Sequence, residues 1–430
     1  MKIAFNAIRV SNKAGSGFDT YIINFINEFA KYVYGNPHIN IQFDVYTLFP
    51  FHFTEVRKEN IKQILNFKYN TRNFIFKHFE VEKQSVVRKQ HKKEKNRFFS
   101  KINNLLKKIT FFGLLSSIKM VLADYLRMFW TQIVFPVYAL RYDLIVSLTE
   151  YDANIFLKKQ IIFIHNTVPF LFRQFKTKYK FYIYCLFPKV VKNVFGIATV
   201  SSVTMQECIK IFNLKTKNRM VIYGGVNEKY FYPVDFKKVE DIKIQYGLKN
   251  DYILCVAHSH PIKNFKRMIE AIALVNQKKL DIDFVIVGLL DKKFFKELNT
   301  EVHLCLKKKV HFIGHVSNEK LSPFYTGAKL FLFATLHEGF GLPPLEAMAC
   351  GCPVVVSNKG SLPEICGDAA VYVNPYNPED IAEGILKVLT DENLRQQLIK
   401  KGFEQVKKFS WEKSVKSFLD VLLQIKDEIL

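Results

Sequence analysis

Two glutamates flank a glycine-rich turn in the second half of the chain. Glu338 directly precedes residues 339–341, Gly-Phe-Gly, and Glu346 lies eight positions after Glu338. Such a turn lets backbone approach a ligand, and a helix beginning there would offer unpaired N–H groups to a phosphate. Ionised carboxylates only accept hydrogen bonds, so they suit the hydroxyls of a ribose or a sugar. The spacing predicts a site for a molecule carrying both diphosphate and hydroxyls, such as a sugar nucleotide.

A short helix should follow the turn. Pro343 and Pro344 suit the entrance of a helix, and Gly351 suits its end, which predicts a helix over about 344–350. The spacing alone leaves an alternative open, in which Glu346 only stabilises the helix dipole and Glu338 is a solvated loop charge.

Three further positions could contribute chemistry. His165 follows a predicted strand, and ligands bind at the carboxyl ends of strands in doubly wound sheets. Lys263 stands just before a predicted helix, and Gly15 and Gly17 lie in a turn after the first strand. Each also has a plain structural reading: a core histidine, a solvated lysine and an ordinary turn, since Gly-x-Gly without a third glycine is a weak signal.

Short β-branched runs alternate with longer amphipathic stretches along the chain, which is typical of parallel strands joined by helices. Near-continuous apolar strands indicate sheets covered on both faces. We therefore predict an α/β protein with two similar doubly wound sheets. The predicted strands, six in each half, are 3–8, 43–48, 144–148, 161–164, 197–200, 220–223, 252–256, 284–287, 310–313, 330–333, 354–356 and 370–373.

Composition excludes several classes of protein. The chain has 430 residues, of which 49% are hydrophobic, and is too apolar to be disordered. No stretch is apolar enough to predict a spanning helix, and no signal peptide is recognisable, so we expect a cytoplasmic protein. The seven cysteines form no CxxC, which favours buried reduced thiols over disulfides or zinc. The net charge of +24 indicates an anionic partner.

The charge and the turn residues divide the chain into domains. The run Lys83 to Lys108 contains ten lysines and arginines against one glutamate, and an apolar, aromatic stretch follows it to Leu140. Glycines at 224 and 225 and Pro233 mark a hinge. We predict an N-terminal domain over 1–225 with an insertion at about 83–140, and a linker over 226–250. A second domain over 251–409 and a helix over 410–430 that packs toward the first domain complete the prediction.

The segment 338–357, E-G-F-G-L-P-P-L-E-A-M-A-C-G-C-P-V-V-V-S, resembles the E-x7-E region of retaining, nucleotide-sugar-dependent glycosyltransferases of family 4. This family has the GT-B fold, in which two Rossmann-like domains face each other across a cleft. Supporting segments cover most of the chain outside about 50–140, among them Ile164-His165-Asn166 and Pro261-Ile262-Lys263-Asn264. The motif also looks like that of mannosyltransferases of bacterial surface polysaccharides.

The resemblance implies a role for each matching residue. Glu338 would contact the donor sugar, His165 would lie near the reacting sugar, and Glu346 would hold the ribose. Lys263 would neutralise the diphosphate, with Arg267 or His260 in place of the arginine that usually accompanies it. The donor-binding residues implied in total are Gly15, Gly17, Lys263, Arg267, Gly339, Phe340, Gly341, Leu342 and Glu346, with His165 and Glu338 as catalytic residues.

The implied reaction is retaining transfer of a sugar, mannose from GDP-mannose, to a hydroxyl of a glycan or lipid-linked acceptor. We expect front-face attack, no cofactor and no obligatory metal, because Asp281 and Asp283 precede a strand and so lie away from the ligand crevice. Two alternatives stay open: a nucleotide-sugar epimerase of the same fold, or a nonenzymatic anion- or nucleic-acid-binding protein. We favour the enzyme because no RNA-binding consensus is present, and thus expect no nucleic acid partner.

The run Lys83 to Lys108 predicts a peripheral contact with an anionic membrane. Phe98, Ile102, Leu105 and Ile109 recur at three- and four-residue steps among its lysines, as in an interfacial amphipathic helix. We expect the protein at the inner face of the cytoplasmic membrane. A solvated basic helix is the alternative reading.

Overall fold

The fold is described from a computed structural model that covers residues 1–7, 17–36, 38–46, 127–175, 179–278, 280–289, 306 and 309–430. Gly15, the run Lys83 to Lys108 and most of the predicted insertion lie outside the described residues.

Two parallel six-stranded sheets organise the described chain, as the alternating apolar runs predict. The order is β2-β1-β3-β4-β5-β6 in the first sheet and β12-β11-β10-β7-β8-β9 in the second. Every predicted strand has an observed counterpart. The strands are β1 Lys2–Asn6, β2 Gln42–Tyr46, β3 Leu144–Ser147, β4 Gln160–Ile164, β5 Gly196–Thr199, β6 Asn218–Val221, β7 Tyr252–Val256, β8 Asp283–Val287, β9 Val310–Gly314, β10 Leu330–Phe333, β11 Val354–Ser357 and β12 Ala370–Val373.

Helices cover both faces of these sheets. Two of them, α2 (127–139) and α4 (180–193), contain a π-helical turn, at Trp130–Val134 and Tyr182–Leu186. The others are α1 Gly17–Gly35, α3 Val168–Leu171, α5 Ser202–Phe212, α6 Phe236–Tyr246, α7 Phe265–Gln277, α8 Asn318–Gly327, α9 Leu342–Ala349, α10 Leu362–Cys366, α11 Pro378–Thr390, α12 Glu392–Val406, α13 Trp411–Gln424 and α14 Lys426–Ile429. None of the described helices is long and apolar enough to cross a bilayer.

Strand β4 lies in the middle of the first sheet and is buried on both faces. On one face Phe163 packs against Phe25 of α1 and Phe418 of α13, with ring centroids 5.4 Å and 5.6 Å away. On the other face Ile162 lies in a buried cluster with Ile183 of α4. This packing fixes the carboxyl end of β4, from which the chain continues into His165.

The end of the chain returns to the first half. Ser410 caps α13 by accepting a hydrogen bond from the Lys413 N–H at 3.2 Å. Trp411 packs edge-on against Tyr21 of α1, with centroids 5.1 Å apart. The segment 226–250, predicted as a linker, contains α6, which Asp235 caps and which packs against α8 of the second half.

Candidate active site

A cavity of about 420 Å³ lies between the two halves, at the carboxyl ends of their strands. His165 after β4 lines it from the first half, and Ala257 after β7 and Gly288 after β8 line it from the second. Parallel sheets place ligands at this end. The predicted site residues that line the cavity are Gly17, His165, Lys263, Glu338, Gly339, Phe340, Gly341, Leu342 and Glu346.

Lys263 and Glu338 form an ion pair at the cavity wall. The Lys263 Nζ donates to Glu338 Oε1 at 2.7 Å, and both side chains are largely buried. The same ammonium lies 5.1 Å from the ring centroid of Phe333. Among the described lining residues, Lys263 is the one lysine or arginine.

The glycine-rich turn is held rigidly above helix α9. Ser361 donates its hydroxyl to the Phe340 carbonyl at 2.7 Å, and its N–H reaches the Glu338 carbonyl at 3.1 Å. Gly341 has a φ of +106°, a left-handed conformation that glycine adopts without strain, and it caps α9. Helix α9 begins at Leu342 rather than at the predicted residue 344, so its first turn lies at the cavity.

Glu346 projects from α9 into the cavity as a buried carboxyl. Its Oε2 accepts a hydrogen bond from the Tyr325 hydroxyl at 3.0 Å. Burial raises the pKa of Glu346 to about 7, and the Tyr325 hydrogen bond opposes that shift. Its charge therefore changes near neutral pH.

His165 is buried and held in one orientation. Its Nε2 lies 2.8 Å from the Leu148 carbonyl, so Nε2 carries the proton that it donates there, and Nδ1 is left as an acceptor. Burial lowers the pKa of His165 to about 4, despite the Leu148 contact. Phe18 and Tyr21 enclose the ring edge-on, with centroids 4.9 Å and 4.8 Å away. The imidazole is neutral at pH 7.

The predicted second cation is not where the sequence suggested. Arg267 does not line the cavity: its Nη1 donates to Asn264 Oδ1 at 3.0 Å and its guanidinium lies over Tyr376. The prediction that Arg267 binds the donor is therefore not supported by its placement. His260 does line the cavity, but its Nδ1 accepts the Ile262 N–H at 3.2 Å, and burial lowers its pKa. With Nδ1 accepting this N–H, His260 does not offer the paired N–H donors of an arginine guanidinium.

The turn also contacts the first half directly, through the start of α5. The Gly339 carbonyl accepts hydrogen bonds from the Ser201 hydroxyl at 2.7 Å and the Thr204 hydroxyl at 3.1 Å. A β-carbon at Gly339 would lie 1.8 Å from the His165 carbonyl oxygen. The two halves touch backbone to backbone at the cavity.

Glu364 of the second half caps helix α5 of the first. Its two oxygens accept the N–H groups of Ser202 at 2.8 Å and Val203 at 3.0 Å, and Oε1 also accepts the Tyr223 hydroxyl at 2.8 Å. An acidic side chain at a helix N-terminus satisfies unpaired N–H groups and favours the dipole. The cap thus joins the halves.

His337 and Glu207 form a second link, which sequence reasoning missed. His337 Nε2 lies 2.8 Å from Glu207 Oε1, and the Thr167 hydroxyl donates to Oε2 of the same carboxylate. Burial disfavours the ionised form of Glu207, whereas the hydrogen bond from His337 favours it. The net effect is a lowered pKa for Glu207. The sequence signal for His337 was its position beside Glu338. Its partner Glu207 is 130 positions away in the chain, so the pair could not be predicted from the sequence.

Asp281 and Asp283 lie at the amino end of β8, away from the cavity. Asp283 accepts from His311 at 2.8 Å, and both aspartates pair with Lys309. Among the described residues, no group of three or more histidine, cysteine or acidic side chains is arranged to hold a metal ion.

Comparison with known families identifies the segment that carries most of these residues. Residues 236–405, which carry Lys263, the turn and Glu346, match the family Glycosyl transferases group 1. This segment is a group 1 glycosyltransferase domain. The predicted resemblance to glycosyltransferases is confirmed over those residues.

Relatives and solved structures extend the likeness beyond the group 1 domain. The chain is 33% identical over 223 residues to the serotype-specific mannosyltransferase WbdA of Escherichia coli, covering 50% of this chain and 27% of WbdA. It is 30% identical to the O-antigen chain mannosyltransferase B of Escherichia coli, covering 50% and 57%. The sucrose-phosphate synthase of Thermosynechococcus elongatus superposes with a TM-score of 0.65 at 18% identity, covering all of both chains. The predicted GT-B fold is confirmed.

Proposed function

We propose that the protein transfers a sugar, with retention at the anomeric carbon, from a nucleotide diphosphate to a hydroxyl of a glycan or lipid-linked acceptor. The observation that carries this proposal is the cavity in which Lys263, Glu338, the start of α9 and Glu346 meet His165 of the other half. The chain spans 27% and 57% of the lengths of the two mannosyltransferases named above. The support for the proposed activity of the whole protein is therefore this site.

The second half supplies the donor site. Lys263 and the N–H groups at the start of α9 neutralise the diphosphate, and an ionised Glu346 accepts the ribose hydroxyls. Glu338 holds a hydroxyl of the donor sugar. Because Glu338 already binds Lys263 at 2.7 Å, one rigid pair contacts the sugar and its leaving group together.

The proposed chemistry is departure of the diphosphate with attack from the same face. Among the described lining residues, the carboxylates are Glu338 and Glu346, and both stand on the donor side. A double displacement would need a nucleophile on the other face of the sugar. Positive charge at Lys263 and at the start of α9 stabilises the leaving group. The neutral His165 accepts a hydrogen bond from a sugar hydroxyl at Nδ1, and the proton of the attacking hydroxyl passes to the departing diphosphate.

The proposed donor is GDP-mannose, and the proposed role is synthesis of a bacterial surface polysaccharide. The names of the relatives support both, since the matched proteins are a serotype-specific and an O-antigen chain mannosyltransferase. We propose that no obligatory metal takes part, since Lys263 and α9 provide the positive charge and Asp281 and Asp283 pair with Lys309. The narrower assignment to family 4 belongs to the same proposal.

The proposed location is the inner face of the cytoplasmic membrane, reached through the basic run Lys83 to Lys108. That run lies outside the described residues, so its ten lysines and arginines are the support for this part of the proposal. Attraction to anionic lipid grows with each added lysine or arginine at the surface.

A donor screen followed by product analysis tests the function. Thermal unfolding with GDP-, UDP-, dTDP- and ADP-sugars should show the largest stabilisation with GDP-mannose. Incubation with that donor and a glycan acceptor should give a product whose anomeric configuration, read by NMR, matches that of the donor. Conversion of the donor without acceptor would support the epimerase instead. Inversion at the anomeric carbon would contradict the retaining mechanism.

A further inference from the structure

Helices α2 and α4 pack on the same face of the first sheet. Ile145 of β3 and Ile162 of β4 share that face, because β3 and β4 pair in register at Ser147 and Ile162. Ile145 is buried with Phe135 of α2, and Ile162 is buried with Ile183 of α4. The opposite face is covered by α1 and α13, so α2 and α4 form an outer layer of the first half.

The outward side of α2 is apolar along its whole length. Phe129, Ile133 and Val137, with Leu140 just beyond the helix, are between 53% and 83% exposed. They are spaced by four, four and three residues, so they form one stripe. No charged residue lies between Arg127 and Arg141. A helix at the surface of a globular protein normally carries polar side chains on its outer face.

Helix α4 continues this surface with the same spacing. Phe181 is 70% exposed and Cys185 is exposed, and Lys189 and Lys192 follow on the same side. A further phenylalanine, Phe156, is exposed in the loop before β4. That loop is tied to α2, since the side-chain amide of Asn154 donates to the Thr131 carbonyl at 2.6 Å.

Within the segment that forms this surface, most of the exposed charges are basic. Between residues 127 and 195 the acidic residues are Asp143, Glu150 and Asp152. The last two are buried, and the half-buried Asp143 accepts the Lys2 N–H at 2.6 Å. Exposed basic side chains border the apolar stripe on both helices and on the intervening loop. These are Arg141, Lys158, Lys159, Lys180, Lys189 and Lys192.

We infer that α2 and α4 form the surface through which the protein lies on an anionic bilayer. Phe129, Ile133, Val137 and Phe181 enter the boundary between headgroups and acyl chains, and the flanking lysines meet lipid phosphates. Contact between two copies through this face would set like charges against each other, which disfavours a dimer. An anionic bilayer offers an apolar layer to the exposed aromatic and aliphatic side chains and lipid phosphates to the basic side chains beside them.

This inference deepens the proposed membrane location and does not depend on the transfer reaction. It assigns the contact to two described helices, and neither of them lies in the basic run. The Tyr184 hydroxyl of α4 donates to the Pro169 carbonyl at 2.8 Å, and Pro169 lines the cavity, so α4 adjoins the cleft. A lipid-linked acceptor would then meet the cavity at the edge of the bilayer.

The test is binding to vesicles of phosphatidylglycerol with phosphatidylcholine, compared with phosphatidylcholine alone. The variant Phe129→Ser, Ile133→Ser, Phe181→Ser should bind anionic vesicles at least about tenfold more weakly than the wild type. A matched control, Phe236→Ser with Ile244→Ser, changes two side chains of α6 that are each 77% exposed and should bind as the wild type does. Wild-type binding by the triple variant, or no binding by the wild type, would overturn the inference.

A second measurement covers the case in which the triple variant does not fold. An environment-sensitive fluorophore on the native Cys185, with Cys305 changed to Ser, should shift to the blue when anionic vesicles are added. The same label at Ile244→Cys, with Cys185 and Cys305 both changed to Ser, should not shift. A silent Cys185 label on vesicle-bound protein would assign binding to the run Lys83 to Lys108 alone and contradict the inference.

Dimers that the triple variant abolishes would show an interface between copies instead. Neither readout uses a sugar donor, so the result is separate from the proposed function.

Discussion

Lys263 Nζ lies 2.7 Å from Glu338 Oε1, so two side chains proposed to hold different parts of the donor bind each other. The pair is mostly shielded from water, which strengthens its attraction. The diphosphate must therefore share Lys263 with a carboxylate. This arrangement gives the two residues opposite effects on nucleotide binding.

Glu338→Gln should separate binding from turnover. Removing the negative charge frees Lys263, so GDP alone should bind a few-fold more tightly, while transfer falls by about 10²-fold, or roughly 2.7 kcal/mol of transition-state stabilisation. Calorimetry with GDP and initial rates with the sugar donor measure the two effects. Unchanged turnover would remove Glu338 from the site.

Lys263→Ala should weaken nucleotide binding and turnover together. Its ammonium is the one lysine or arginine charge among the described lining residues, and it would face the diphosphate in both ground and transition states. Lys387→Ala, an exposed lysine on α11, is the control and should change neither. Equal affinity of GDP for the Lys263 variant and the wild type would show that the phosphates lie elsewhere.

Donor affinity should rise with pH between about 6 and 8. Burial raises the pKa of Glu346 to about 7, so the carboxyl is protonated below that value and ionised above it. Only the ionised group accepts hydrogen bonds through both oxygens, so protonation weakens contact with the ribose. With a pKa of about 4, His165 stays neutral across this range. Affinity measured at several pH values should follow Glu346, and Glu346→Gln should flatten the profile.

Gly339→Ala should disable transfer through backbone crowding. Its β-carbon would lie 1.8 Å from the His165 carbonyl oxygen, and neither chain segment can give way by a side-chain rotation. We expect a loss of at least about 10²-fold in turnover because the turn must shift against the first half. Gly35→Ala meets no atom within 4 Å and should be close to neutral. Similar rates for the two variants would show that the halves do not need this contact.

The sequence predicted the sheets well because their strands are buried on both faces and read as continuous apolar runs. Helix α6 was missed because only Val239 and Ile242 of it are buried, and its charged outer side looks like a linker. The start of α9 was placed two residues late, since Gly341 rather than a proline sets the first turn.

The candidate site was predictable where its residues are close together in the sequence. The spacing of Glu338 and Glu346 around the glycine-rich turn was enough to predict a site there. The links between halves could not be predicted in this way, because Glu207 and Glu364 meet partners more than 100 positions away, brought together only by the packing of two sheets. Arg267 shows the reverse case: it is close to Lys263 in the chain, but its guanidinium contacts Asn264 and Tyr376 and does not line the cavity.

The cap that Glu364 places on α5 has a consequence for engineering. A group 1 domain transplanted from a relative, to change the sugar that is delivered, would leave the N–H groups of Ser202 and Val203 uncapped wherever that domain lacks a carboxylate at this position. Loss of this cap costs about 1 kcal/mol of stability and would weaken the contact between the transplanted domain and the first half. Chimeras of this protein should therefore keep a carboxylate at position 364 and glycine at 339, whichever donor specificity is being installed.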